Sequence, residues 1–457
     1  SKITVGALED MGYQVNYDKA DDYSSPSATS FPSAQGSALA KAELVRTSTL
    51  RVTTTNDSDD DTQRTISLTT DVTTFAGSAE SDITIVESNA IGLGETVEGV
   101  DAAWTKVVST NGAVSVTAGG RITANDVVAT EDPTGTIVLE STADGITLGK
   151  VTSEIGKFTA QGDILDLATS VIDISTITAT TAGSQINLSN SKHKIDSFTA
   201  TSESGEAPFD RGNISVIAED TLKIANIIGA SVDIVVDNEL TQAQLTQVVA
   251  SQLSLQSLNG KDITFDSTTN AIGAVGVQSD KGDGTKGNIV IASAEDTLTL
   301  TGVEGETLKI NTRKDLNDNA AIKVTSLTII AGGDILLNDV DNDITTLDVP
   351  ETAVDLITID DGGSGYEPNK DDIVVTFSAP ESGTDRATGV AVADENGVVV
   401  EILITNSGSG YTALPTLIID DPTTGTTAAA TATNLLATSL SFDDTNDLTI
   451  SAGGLEV

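Results

Sequence analysis

The side chains in this sequence best equipped for chemistry are carboxylates. They gather in Asn56-Asp57-Ser58-Asp59-Asp60-Asp61, in Asn338-Asp339-Val340-Asp341-Asn342-Asp343, and in Asp443-Asp444 with Asp447. Hard oxygen donors at alternate positions suit Ca²⁺, so Asp57, Asp59, Asp61, Asp339, Asp341 and Asp343 are candidate calcium ligands, and calcium is the candidate cofactor. None of these runs carries the Asp-x-Asp-x-Asp-Gly and distal Glu of an EF-hand, and solvated turns are the competing reading. Other chemistries lack their reagents. The absence of cysteine removes thiolate zinc sites, disulfides and cysteine nucleophiles together. The single histidine, His193, sits in Ser191-Lys192-His193-Lys194, a stretch read as loop or coil, and no nucleophile-elbow motif accompanies it. It reads as a surface or internally satisfied histidine. One tryptophan, Trp104, and five tyrosines leave few platforms for sugar rings, and no paired-carboxylate spacing stands out. The chain is expected not to be an enzyme.

The charge balance narrows the partners. A net charge of −45 over 457 residues makes nucleic acid and anionic membrane poor partners, and no apolar run approaches the ~18 residues that cross a bilayer. Such an acidic excess keeps a protein dispersed in salty water and suits an exterior surface. With aromatics at 3% and hydrophobic residues at 38%, the core must be thin and lined by Ile, Val, Leu and Ala.

The elements that could build such a core repeat. Apolar-x-apolar triplets recur at Ile83-Thr84-Ile85, Val114-Ser115-Val116, Ile137-Val138-Leu139, Ile164-Leu165 and Ile186-Asn187-Leu188. They continue through Ile214, Ile234, Ile263, Ile289, Leu308 and Ile335 at an average step of about 25 residues, read as one series in constant phase. The segment from Gly212 to Ile224 returns, with one insertion, from Gly287 to Leu300. Short third strands are suggested by Phe158-Thr159-Ala160, Phe198-Thr199-Ala200 and Leu327-Thr328-Ile329. Such strands bury too little to stand alone, but stacked about 4.8 Å apart they join into one aliphatic ladder. The expected fold is all-β, a parallel β-helix (solenoid) of about fourteen coils and on the order of 65 Å long. Low helix content follows, with the N-terminal residues and 240–252 as the best helical candidates.

Residues 40–350, with coils such as Ala331-Gly332-Gly333-Asp334-Ile335-Leu336-Leu337-Asn338-Asp339, resemble the β-helix of filamentous-haemagglutinin-like large exoproteins. That resemblance implies an exported surface protein and carries over no catalytic residue. A second repeat follows, Asp360-Asp361-Gly362-Gly363-Ser364-Gly365-Tyr366 returning as Thr405-Asn406-Ser407-Gly408-Ser409-Gly410-Tyr411. It resembles the Gly-Ser-Gly-Tyr module of phage fibre and bacterial surface proteins. Tyr366 and Tyr411 are either plugs over their turns or, in the rival reading, ligand contacts to a glycan. Leu448-Thr449-Ile450-Ser451-Ala452 then reproduces Leu327-Thr328-Ile329-Ile330-Ala331, as though the module were inserted between coils.

The opening differs from everything after it. Ser1 to Tyr17, with the core Leu8-Glu9-Asp10-Met11-Gly12-Tyr13, resembles the closing segment of leishmanolysin-like zinc metallopeptidase domains, a helix followed by an extended stretch. The His-Glu-x-x-His helix that such peptidases need is absent from this sequence. Ser1 is therefore expected to follow a cut in a longer precursor.

The organisation expected is residues 1–39 as a peptidase-domain remnant with a short helical segment, 40–350 as β-helix, 351–437 as a small inserted β module, and 438–457 as β-helix-like strands. The function expected is structural: a subunit of an extracellular fibre, sheath or surface layer, its main partner other copies of itself. Leu448, Ile450, Leu455 and Val457 would meet Ile66 and Ile83 of the next copy by β-augmentation. The rival is an adhesin or phage tail-fibre-type protein contacting a host glycan, at a cell or virion surface.

Overall fold

The computed structural model describes residues 45–54, 65–94, 105–130, 135–205, 210–295, 297–313, 315–331, 334–349, 354–380, 386–408, 411, 414–422, 424–435, 440–442 and 449–452. It is all-β, with parallel stacked coils forming a β-solenoid of about 13 turns and no helix among the described residues. The chain divides into two compact units, residues 1–213 and 214–457. The helical segment expected at the N-terminus lies outside the described residues.

In the first unit each coil contributes a short strand to each of three faces. One inward ladder runs Ile66, Ile83, Val114, Ile137, Gly156, Ile177, Phe198, each residue in parallel register with the next. Two positions on, a companion ladder includes Leu68, Ile85, Val116, Leu139 and Phe158. Nearly all these side chains are fully buried, and each Ile or Leu so removed from water contributes about 1.5–3 kcal/mol. The alternate residues, such as Thr84 and Thr178, face outward, as the two-residue period of a strand requires. Two of the rings in this narrow interior sit where a glycine makes room. A Cβ on Gly156 would lie 2.9 Å from Cζ of Phe158, and one on Gly77 would lie 2.9 Å from Cζ of Phe75.

The registers correct the reading of one series in phase. Leu139 stacks on Phe158, whereas Ile164 stacks on Ile146 and Ile186, so the triplet series slips from one face to another between Leu139 and Ile164. Phe158-Thr159-Ala160 is the next strand of the first face rather than a separate third strand. Steps along a ladder are uneven, from 17 residues between Ile66 and Ile83 to 31 between Ile83 and Val114. The slack is taken up at the corners.

The second unit is built alike. One ladder is Leu222, Leu240, Ile263, Ile289, Leu308, Leu327, Leu347, Ile450. Another runs Ile214, Val232, Leu253, Val275. The two look-alike segments therefore lie on different faces: Ile214 belongs to the second ladder and Ile289 to the first. Residues 240–252 are not helical; they hold the strand Leu240–Gln242 and the start of Val248–Ser257. The amides that interrupt the apolar pattern point inward, Gln242 and Asn270 exchanging reciprocal hydrogen bonds of 2.7 and 2.8 Å. Buried corner hydroxyls close the turns in the same way. Ser257 Oγ donates to the Asn238 carbonyl at 2.7 Å and accepts from the Lys261 N–H at 2.9 Å.

Between Asp343–Val349 and Leu440–Phe442 the chain forms a different structure. Val354–Asp361 pairs antiparallel with Ala429–Leu435, and a four-stranded antiparallel sheet has the order Val399–Asn406, Thr388–Ala393, Ile373–Phe377, Leu417–Ile419. Its core gathers Val354, Tyr366, Val375, Phe377, Tyr411 and Ile419. The parallel ladders then resume, Leu440–Phe442 on Ile335–Leu337 and Thr449–Ala452 on Asp343–Val349.

Candidate functional site

The residues singled out from the sequence are mostly structural in their surroundings. Tyr411 is fully buried; its hydroxyl accepts from the Ala387 N–H at 2.9 Å and donates to the Ser378 carbonyl at 3.0 Å. Tyr366 is also buried and accepts from the Ala428 N–H at 2.9 Å. Both rings plug the module, which corrects the reading of them as ligand contacts. Ile83 is enclosed between Ile66 and Val114 in its ladder, and neither Ile66 nor Ile83 is exposed. Neither side chain offers a surface for another copy. Leu448, Leu455 and Val457 lie outside the described residues, and only the backbone of Ile450 is described.

Asp57, Asp59 and Asp61 also lie outside the described residues. Asp339, Asp341 and Asp343 do not converge: Asp339 caps its own turn, accepting from the Asp341 N–H at 2.9 Å. The carboxylate that organises this corner is Asp318, which accepts from the Asn338 N–H at 2.8 Å and from the Asn342 side chain at 2.8 Å. Among the described residues no group of three or more His, Asp or Glu side chains is arranged to hold a metal ion.

His193 lies in a strand, Ile186–Lys194, and points into the core. Its Nε2 is 2.9 Å from Oδ2 of Asp166, and neither side chain is exposed. Asp166 is in register with Leu148, so a carboxylate occupies a ladder position that is aliphatic in the preceding coil. It also receives Ser170 Oγ at 3.1 Å, the Asn190 N–H at 3.0 Å and Asn190 Nδ2 at 2.9 Å. His193 Nδ1 is buried without a partner. Enclosure in the core makes this a packing and orientation device rather than a site that meets a ligand. The expectation of a loop is corrected, because a polar residue facing inward looks in sequence like one facing outward.

A surface concavity does exist, on the outer face of the second unit. Ser254 pairs in register with Gly276, which faces a bulge at Thr301 and Gly302; Thr301 in turn pairs with Ala320. Alongside, Gln256, Gln278, Glu304 and Lys323 form a continuous column of long polar side chains. Small residues beside long ones leave a trough of about 400 Å³, lined by Ser254, Gln256, Gly276, Gln278, Glu304 and Lys323 among others. Gly302, at φ +111, holds a backbone conformation open to glycine and strained for other residues.

The trough has a built rim. Residues 280–286 form a loop closed by an Asp280–Lys286 bridge, and Lys286 Nζ lies 3.3 Å from Glu304 and 3.5 Å from Asp280. The Gly282 N–H, with help from Glu304 and Lys286, holds the Asp280 carboxyl below its usual range. Burial works against the charge on Lys286, but Glu304 and Asp280 outweigh it and raise the ammonium above its usual value. At the tip, the Thr285 hydroxyl and then Lys281 hold Asp283 down to about 2. Gln256 Nε2 donates to Gln278 Oε1 at 2.8 Å, an amide ladder along one wall. Lys323 makes no ion pair with a described residue. Sequence reasoning missed the trough because Gly276, Gly302 and the polar column are far apart until register joins them.

Fold and surface together define a parallel β-solenoid carrying an inserted antiparallel module and an open polar trough. No family model matches this chain, and neither a curated protein nor a solved structure matches it.

Proposed function

We propose that the chain is a structural β-solenoid subunit of an extracellular fibre, sheath or surface layer, in which copies join by continuing one another's parallel sheets. One observation carries the reading. Solenoid ladders recruit strands through backbone groups and inward aliphatics, and Thr449–Ala452 joins Asp343–Val349 in parallel register although an antiparallel module separates them in the chain. A ladder that takes up a strand from beyond a module can take one up from another copy. The likeness of residues 40–350 to large exoproteins supports an exterior location, and no step of this role requires catalysis.

The net charge of −45 opposes association and makes it dependent on screening, whose range falls from about 30 Å at 0.01 M salt to about 8 Å at 0.15 M. Electron microscopy and light scattering of the purified chain at those two ionic strengths test the reading. Polymers at the higher salt are expected; discrete particles under both conditions overturn it. Removal of residues 448–457 is expected to abolish the polymers. The second reading is an adhesin or tail-fibre-type protein contacting a glycan, and the trough favours it, since Tyr366 and Tyr411 are enclosed.

A further inference from the structure

We infer that the trough over Gly276 and Gly302 is a binding subsite for a neutral, unbranched polysaccharide segment lying across the strands. The inference rests on the second reading above and names its ligand class and location.

Shape selects an extended ligand. From Ser254 to Ala321 the floor crosses four successive strands, a run of about 14 Å at the usual strand spacing, long and shallow rather than deep. The strands beneath are paired on both edges, Val248–Ser257 and Ala271–Gln278 included, so no strand edge is open there to capture a peptide by strand addition. What the trough offers is side-chain hydrogen bonding at every coil: the Ser254 hydroxyl, the Gln256 and Gln278 amides, the Glu304 carboxylate and the Lys323 ammonium. A chain of hydroxyl-bearing rings presents matching groups at intervals close to the coil spacing.

Charge selects a neutral one. Within and beside the trough the two ammoniums, Lys286 and Lys323, equal the two carboxylates, Asp280 and Glu304, in number, so the site has no net positive charge to draw a uronate or sulfate. The surrounding molecule, at −45, repels such anions from a distance. The lining has no aromatic side chain, so affinity per site is weak and an array of subunits gains by multivalency.

The test is saturation-transfer NMR on the full chain with cellohexaose, xylohexaose and mannohexaose, and with a galacturonate hexamer as the anionic comparison. Gly276→Val fills the floor, since a Cβ there meets Thr301 Oγ1 at 2.9 Å. Ser254→Trp blocks the trough from an exposed position should the first variant misfold, and circular dichroism with thermal melting reports folding. At least one neutral hexamer is expected to bind, with affinity lowered about tenfold or more by each folded blocking variant and by Gln278→Ala. Binding that survives both blocking variants, or preference for the galacturonate hexamer, overturns the trough assignment while leaving an adhesin role elsewhere on the chain. Failure of every oligosaccharide to bind overturns the subsite, and failure on a broad glycan array as well overturns the adhesin reading.

Discussion

His193 and Asp166 face each other inside the first unit, Nε2 to Oδ2 at 2.9 Å, Asp166 on a strand that also buries Ile164, Ile172 and Ile174 and His193 on one that buries Ile186 and Leu188. Removing one partner leaves the other buried and uncompensated, which typically costs about 3–5 kcal/mol. Asp166→Leu is expected to lose stability in that range by denaturant unfolding. The double variant Asp166→Leu/His193→Val is expected to recover only part of it: Leu148 and Val151 fill the corresponding positions one and two coils away, but Ser170 and Asn190 still lose their acceptor. A double variant as unstable as the sum of the single ones would show that the pair does not act as a unit.

Gly156 makes room for Phe158. An alanine there puts a Cβ against the ring at 2.9 Å and against Ile174 Cδ1 at 3.0 Å, in a core with no slack, for an expected loss of about 1–3 kcal/mol. Phe158→Leu in the same background should return part of it. Thermal melting of the two variants beside the unsubstituted chain measures both effects.

The two tyrosine plugs are expected to differ. Tyr411 makes two hydrogen bonds through its hydroxyl, with Ala387 and Ser378, whereas Tyr366 makes one, with Ala428. Tyr411→Phe strands a buried N–H and removes a donor to a carbonyl, and should cost about 1–3 kcal/mol. Tyr366→Phe should cost less. Equal losses in melting would contradict this account of their roles.

Glu401 lies on Val399–Asn406 with its Oε1 buried and unpartnered, and burial raises its carboxyl above the usual value. Its folded-state pKa therefore exceeds its unfolded value near 4.5. The stability linked to its protonated form is complete below that unfolded value and is lost as pH rises through the folded one. Glu401→Gln is expected to raise the melting temperature at pH 7, by less than about 1 kcal/mol in stability since the carboxyl is partly solvent-screened. The gain should vanish near pH 4. A gain independent of pH would place its origin elsewhere.

Much of the fold was legible because inward Ile, Val and Leu alternate with outward Thr, Ser and Asp, a pattern that a thin parallel ladder satisfies. The register was not. Triplets on all three faces look alike, so Leu139 and Ile164 read as successive rungs although they stack on different partners, and the segments at Ile214 and Ile289 look equivalent on different faces. Inward polar residues misled for a related reason: Gln242 broke the apolar pattern and suggested a helix, and His193 suggested a loop. Both bond to partners at least 27 residues away, Asn270 and Asp166. The trough lay beyond reach until residues 19 to 26 positions apart were set side by side.

The uneven corners carry a wider consequence. Rungs 17 or 31 residues apart stack alike, and Ile450 follows Leu347 in one ladder although a whole antiparallel module separates them in the chain. Register is thus held by a few aliphatic teeth per coil, while the bends between them are open to grafting. A scaffold of this kind can gain or lose a decoration at one bend without retooling the rest, so its outer chemistry is free to diversify faster than its architecture.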